Sequence, residues 1–143
     1  MAMTDNHWTW TCEQSIPSET ASGREVVDKL LEALSKHEWE EHDVFGVHLA
    51  VEEALVNAIK HGNQLDANKM VKVICKVCRD RTWIEIEDEG EGFDPDDVPD
   101  PTDEANLEIP SGRGLMLMRS YMSEVSFNDL GNRVIMEKLR TPP

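Results

Sequence analysis

The chain has 143 residues, of which 39% are hydrophobic and 30% charged, with a formal net charge of −15. That length suits one domain with a sizeable core, expected over 1–143. The acidity, without clustered Lys and Arg, speaks against nucleic acid and anionic membrane surfaces, leaving solubility or a basic protein partner as its meaning. No stretch approaches the ~20 apolar residues of a membrane span, and "MAMTDNHWTW" lacks the basic-then-apolar order of a secretion signal. Three cysteines cannot all pair with one another, so the expected compartment is a reducing cytoplasm.

In chain order, "HWTWTCEQSIPS" alternates in part and carries aromatic and β-branched residues, which predicts a first strand. Pro17 and Ser18 break it, and Ser18 is placed to cap the next helix. Residues 19–37 read as that helix, with Val26, Val27, Leu30, Leu31 and Leu34 at helical spacing. "HEWEEHD" is a polar connection. Residues 43–61 predict a second helix, ended by Gly62-Asn63. "KMVKVICKVC" and "RTWIEIEDE" alternate and are joined by Arg79-Asp80, a hairpin. A long loop from Gly90 to Pro110 follows, with Pro95, Pro99, Pro101 and Pro110 among many acids; loops of that length are usually lids or disordered. "GLMLMRSYM" reads as a short third helix, and "EVSFND" and "NRVIMEKLR" as closing strands.

Several motifs carry little chemistry. Cys75 and Cys78 are three apart on a strand, so their thiols are expected to face opposite ways, and no second pair completes a zinc site. His37 and His42 are five apart, whereas a zinc-protease helix needs four. The second helix is different. On a wheel of about 100° per residue, Glu53, Asn57 and Lys60 fall within an arc of about 60°, opposite Val47, Val51, Ala54 and Ala58. Asn is a mediocre helix former because its amide competes for the backbone, so Asn57 one turn after Glu53 needs a reason. Asp88-Glu89-Gly90-Glu91-Gly92 ends a strand with an acid and two spaced glycines, either a plain turn or a place where a ligand comes close. Ser111-Gly112-Arg113-Gly114 opens a helix, either an anion site or a hinge.

The order of these pieces resembles the ATP-binding fold of the GHKL superfamily. Within it the chain is most similar to the small anti-sigma-factor serine kinases of bacteria. "AVEEALVNAIKHGN", "DEGEGFDPDDVPDPT" and "SGRGLMLMRSYMSEV" match that family's three segments in order and spacing. The resemblance implies that Asn57 holds Mg²⁺ and that Glu53 is the general base for an acceptor hydroxyl. It implies that Lys60 and His61 steady phosphate charge, and that Asp88 accepts from the adenine amino group, with Gly90 and Gly92 letting the chain pass close to the base. Gly112 and Gly114 would wrap the phosphates of ATP, with Arg113 between them as a phosphate contact, and residues 94–111 would form the lid. Two departures stand out. Pro110 replaces a basic residue common in relatives, and Gly131-Asn132-Arg133 stands where many carry Gly-Thr. Either ATP is held less tightly there or Asn132 substitutes for the hydroxyl.

The expected fold is an α/β two-layer sandwich, a mixed and mostly antiparallel sheet with helices on one face. The tight join between strands 69–78 and 81–88 disfavours a doubly wound parallel sheet. The function that the resemblance implies is an ATP-dependent protein serine/threonine kinase acting as an anti-sigma factor. Its partners would be an anti-sigma-factor antagonist protein as phosphoacceptor and a sigma factor; relatives are often dimers, so a homodimer is also implied. Two alternatives stand beside it: a non-catalytic, ATP-gated partner-switching module, and the detached catalytic domain of a histidine kinase.

Overall fold

A computed structural model describes residues 8–92 and 112–142. The element order is β1 (Trp10–Pro17), α1 (Thr20–Lys36), α2 (Glu41–Val56), a π-helical turn (Asn57–Gly62), β2 (Met70–Val77), β3 (Arg81–Glu87), α3 (Gly112–Tyr121), β4 (Glu124–Phe127) and β5 (Arg133–Leu139). The five strands form one sheet in the order β1-β2-β3-β5-β4, and every pairing is antiparallel. The lid expected over 94–111 lies outside the described residues.

Alternation decides which sheet face is covered. Val71, Val73, Cys75 and Val77 of β2, Thr82, Ile84 and Ile86 of β3, and Val134 and Met136 of β5 are buried. Successive strand side chains point to opposite faces, so these make one apolar face. Onto it pack Val26, Val27, Leu30 and Leu34 of α1, Val47, Val51 and Ala54 of α2, and Leu115 and Met118 of α3. Two glycines let the helices close up. A Cβ on Gly23 would lie 3.2 Å from Ile59 Cδ1, and one on Gly46 3.0 Å from the Tyr121 ring. Cys78 follows the last β2 residue, beyond the alternation, and is buried like Cys75.

Several boundaries differ from expectation. The connection between α1 and α2 is short, and its Trp39 is buried with Nε1 donating to the Cys78 carbonyl at 3.0 Å. Ser18 does not cap α1: the residue at that position is Glu19, with no side-chain cap bond. The Ser18 hydroxyl is buried and donates instead to the Lys69 carbonyl at 2.6 Å. The second helix does not run as one α-helix to residue 61. It becomes π-helical at Asn57, and the Asn63 N–H donates to the Ala58 carbonyl five residues back at 2.9 Å. The third helix begins at Gly112 rather than after Gly114.

Candidate nucleotide site

The π turn begins at the residue whose presence in a helix needed explaining. Glu53 and Asn57 are one α turn apart and both half-buried. Beyond Val56 each turn closes from i to i+5, so the 100° wheel no longer applies; Lys60 is exposed and His61 half-buried. Such π segments inside helices recur at functional sites. The first turn of α3 approaches this pair. A Cβ on Gly114 would lie 2.9 Å from Glu53 Oε2 and 3.8 Å from Asn57 Nδ2. The helix with the acid and the amide thus meets the glycine segment that opens α3, although 60 or so residues separate them in sequence. The Arg113 side chain lies outside the described residues.

At the end of β3, Asp88 is half-buried beneath the close of the π turn. A Cβ on Gly62 would collide with its carboxylate, 2.2 Å from Oδ2, and a Cβ on Gly90 would lie 2.2 Å from the Gly62 carbonyl oxygen. The Gly90 N–H donates to Asp88 Oδ1 at 2.7 Å. Burial pushes the Asp88 carboxyl up to about 6, assisted by the negative charge of Glu87 and opposed by the Gly90 N–H and by Lys69. Gly92 has φ +82°, and a Cβ there would lie 1.9 Å from the Leu130 carbonyl oxygen. The close approaches that require Gly90 and Gly92 are therefore to the chain's own backbone.

Two asparagines hold this segment. Asn63 is fully buried; its Oδ1 accepts from the Glu89 N–H at 2.8 Å, while Nδ2 donates to Ser18 Oγ and to the Met70 carbonyl, each at 3.0 Å. On the other side Asn132 Nδ2 donates to the Asp88 carbonyl at 2.9 Å, and its Oδ1 accepts from Asn128 Nδ2 at 2.7 Å. The Asn132 amide, one of the two alternatives for the place of an adenine-side hydroxyl, is thus bound to protein groups at both ends. In the sequence Asn63 reads only as a helix stop. Its one sequence signal is a buried-capable amide directly after a helix-ending glycine, and that signal does not separate a stop from a brace.

The opposite end of the sheet holds an open cavity of about 780 Å³, lined in part by Thr9, His37, Arg79 and Arg140. Its Arg140 guanidinium is engaged by the carbonyls of His37, Glu38 and Arg79. None of the candidate residues lies there. Among the described residues no helix is long and apolar enough to cross a membrane.

Comparison with known proteins bears on the family and the fold. The sequence pattern of the histidine kinase-like ATPase domain matches residues 16–138. The anti-sigma F factor of Clostridium perfringens is 33% identical over 97 residues, which cover 64% of this chain and 69% of that protein. The serine-protein kinase RsbW of Bacillus subtilis is 32% identical over 103 residues, covering 67% of this chain and 64% of the relative. The crystal structure of the RsbU and RsbW domains of a Mycobacterium tuberculosis protein superposes with a TM-score of 0.63 at 16% identity. That superposition covers 94% of this chain and 34% of the larger one, and it shows the shared fold.

Proposed function

The chain belongs to the histidine kinase-like ATPase domain family, and from that premise we propose that it is an ATP-dependent protein serine/threonine kinase that acts as an anti-sigma factor. The observation that carries the reading is the meeting of Glu53, Asn57 and Gly114. A carboxylate, an amide and a glycine-opened helix N-terminus converge there, which is what phosphoryl transfer asks of a protein.

The roles are those the family resemblance implies, and the chemistry of each group suits them. Asp88 accepts from the adenine amino group. The N–H groups at the start of α3, near Gly112 and Gly114, face phosphate charge, with Arg113, Lys60 and His61 as further cationic contacts. The Asn57 amide oxygen is a hard donor suited to Mg²⁺, whose contribution when bound is to neutralise phosphate charge. Glu53 takes the proton of a serine or threonine hydroxyl on the partner. The hydroxyl oxygen forms a bond to the γ-phosphorus as the bond to the β-phosphate bridging oxygen breaks, and ADP leaves. The phosphoacceptor is an anti-sigma-antagonist protein, which in its unphosphorylated form competes with a sigma factor for this chain.

The test is incubation with γ-labelled ATP, Mg²⁺ and an antagonist protein. Acid-stable label on the antagonist is expected. Acid-labile label would favour a histidine kinase, and ATP binding without transfer to any antagonist would favour a non-catalytic, ATP-gated module.

A further inference from the structure

We propose that Asn63 and Asn132 are positioning residues that set the nucleobase selectivity of the site by holding the Asp88–Gly90 segment between them. This rests on the reading of Asp88 as the acceptor for the adenine amino group.

Consecutive backbone groups of the segment are occupied. The Asp88 N–H donates to the Asn132 carbonyl at 2.9 Å, and the Asp88 carbonyl accepts from Asn132 Nδ2 at 2.9 Å. The Glu89 N–H is taken by Asn63 Oδ1 at 2.8 Å, and the Gly90 N–H by the Asp88 carboxylate itself at 2.7 Å. Neither asparagine is free to swing away. Asn63 is 0% exposed, and both of its amide donors are used, on Ser18 Oγ and the Met70 carbonyl. A side-chain amide has two N–H donors and one acceptor oxygen, and a buried polar group that loses its partner is costly. Rotating Asn63 would strand all three contacts. Asn132 is held in turn by Asn128, whose Oδ1 accepts from the N–H groups of Gly131, Asn132 and Arg133 at 2.9, 3.1 and 3.1 Å. The braces come from opposite sides: Asn63 from the end of the π turn, Asn132 from the β4–β5 connection. The carboxylate between them lies against Gly62, where no side chain fits.

A carboxylate reads an amino group only where its acceptor oxygen is placed within hydrogen-bond reach. Inosine triphosphate shares the ribose and phosphates of ATP but presents a carbonyl oxygen where adenine presents the amino group. The ratio of the two affinities therefore reports the carboxylate's placement. It is insensitive to how much of a variant is folded, because both nucleotides see the same folded fraction.

Calorimetry with Mg·ATP and Mg·ITP should be run on the parent, Asp88→Asn, Asn63→Ala and Asn132→Ala. Asn132 is only half-buried, so its variant keeps the test open where Asn63→Ala folds poorly. The parent is expected to prefer ATP, and Asp88→Asn to lose that preference. Each asparagine variant is expected to lower the ATP:ITP ratio about three- to tenfold, the worth of one lost hydrogen bond. An unchanged ratio in either variant, with Asp88→Asn abolishing the preference, removes that asparagine as a positioning residue. A preference untouched by Asp88→Asn overturns the reading of Asp88 itself, and the brace proposal with it.

Discussion

Glu53 Oε2 lies 2.9 Å from the point that a Cβ on Gly114 would occupy. The contact joins α2 to the first turn of α3 and leaves no slack for a methyl group. The obstructing atom is the end of a flexible side chain, so Gly114→Ala should fold while displacing the Glu53 carboxylate. Misplacing a catalytic group by a fraction of an ångström to an ångström costs up to about 10²-fold. We expect Gly114→Ala to keep its melting temperature within a few degrees and to transfer phosphate about 10- to 100-fold more slowly. A transfer rate equal to the parent's would show that the contact does not place Glu53.

Glu53 and Asn57 sit one turn apart but are assigned different work. Glu53→Ala should bind Mg·ATP as the parent does and lose about 10²–10⁴-fold in transfer, the usual worth of a general base. Asn57→Ala should lose the Mg²⁺ dependence of ATP binding, and transfer with it. Calorimetry with and without Mg²⁺, beside single-turnover transfer, separates the two. Equal transfer by Glu53→Ala and the parent would remove the base.

Adenine recognition should depend on pH through Asp88. Its carboxyl titrates near 6 because burial disfavours the charge, so ATP affinity should fall as pH drops from 7.5 through 6, and the fall should be absent in Asp88→Asn. The same shift has the opposite effect on the nucleotide-free fold. The folded-state value lies above the unfolded one, so ionised Asp88 disfavours folding; that cost is full above about pH 6 and absent below about pH 4. Asp88→Asn should thus melt higher than the parent at pH 7.5 and lose the advantage near pH 4. Thermal melts at both values check it.

Gly92 combines φ +82° with a Leu130 carbonyl oxygen 1.9 Å from any added Cβ. Both the backbone conformation and the space exclude a side chain. Gly92→Ala should destabilise the fold by about 1–3 kcal/mol, measured by urea unfolding. A change below about 0.5 kcal/mol, the range of neutral surface substitutions, would contradict the contact with the β4–β5 connection.

Asp43 ties the end of the chain to the start of α2. It is 1% exposed, and its carboxylate accepts from the Thr141 N–H at 2.9 Å and the Thr141 hydroxyl at 2.7 Å. Burial alone would raise its pKa, but the two Thr141 hydrogen bonds, Lys138 and His42 outweigh it and leave the group below the ordinary range. A depressed carboxyl stabilises the fold above its unfolded pKa and loses that contribution as pH falls through the folded one. Asp43→Ala should cost about 2–3 kcal/mol at pH 7, the scale of lost hydrogen bonds to a charged group. The difference from the parent should shrink in strong acid, as urea unfolding at the two pH values would show.

Local pattern carried much of this protein. The alternation of "KMVKVICKVC" and "RTWIEIEDE" specified two half-buried strands and their hairpin, because side-chain direction along a strand is set by covalent geometry. The spacing of Val26, Val27, Leu30 and Leu34 specified the buried stripe of α1 for the same kind of reason. Glu53, Asn57, Asp88 and the glycine segments stood out because each strains a local rule. What stayed hidden in the sequence is contact between distant segments. The Asn63 amide reaches Ser18 across 45 residues and Glu89 across 26, and Asn132 reaches Asp88 across 44. A residue that ends a helix and one that braces the end of a distant strand look alike in sequence, since the difference lies in what packs around them. The π turn at Asn57 is of the same kind, since periodicity reports an α-helix until packing decides how its last turn closes. Local chemistry thus singled out the candidate groups, and only the packing of the π turn, the β3 end and the start of α3 decided which of them meet.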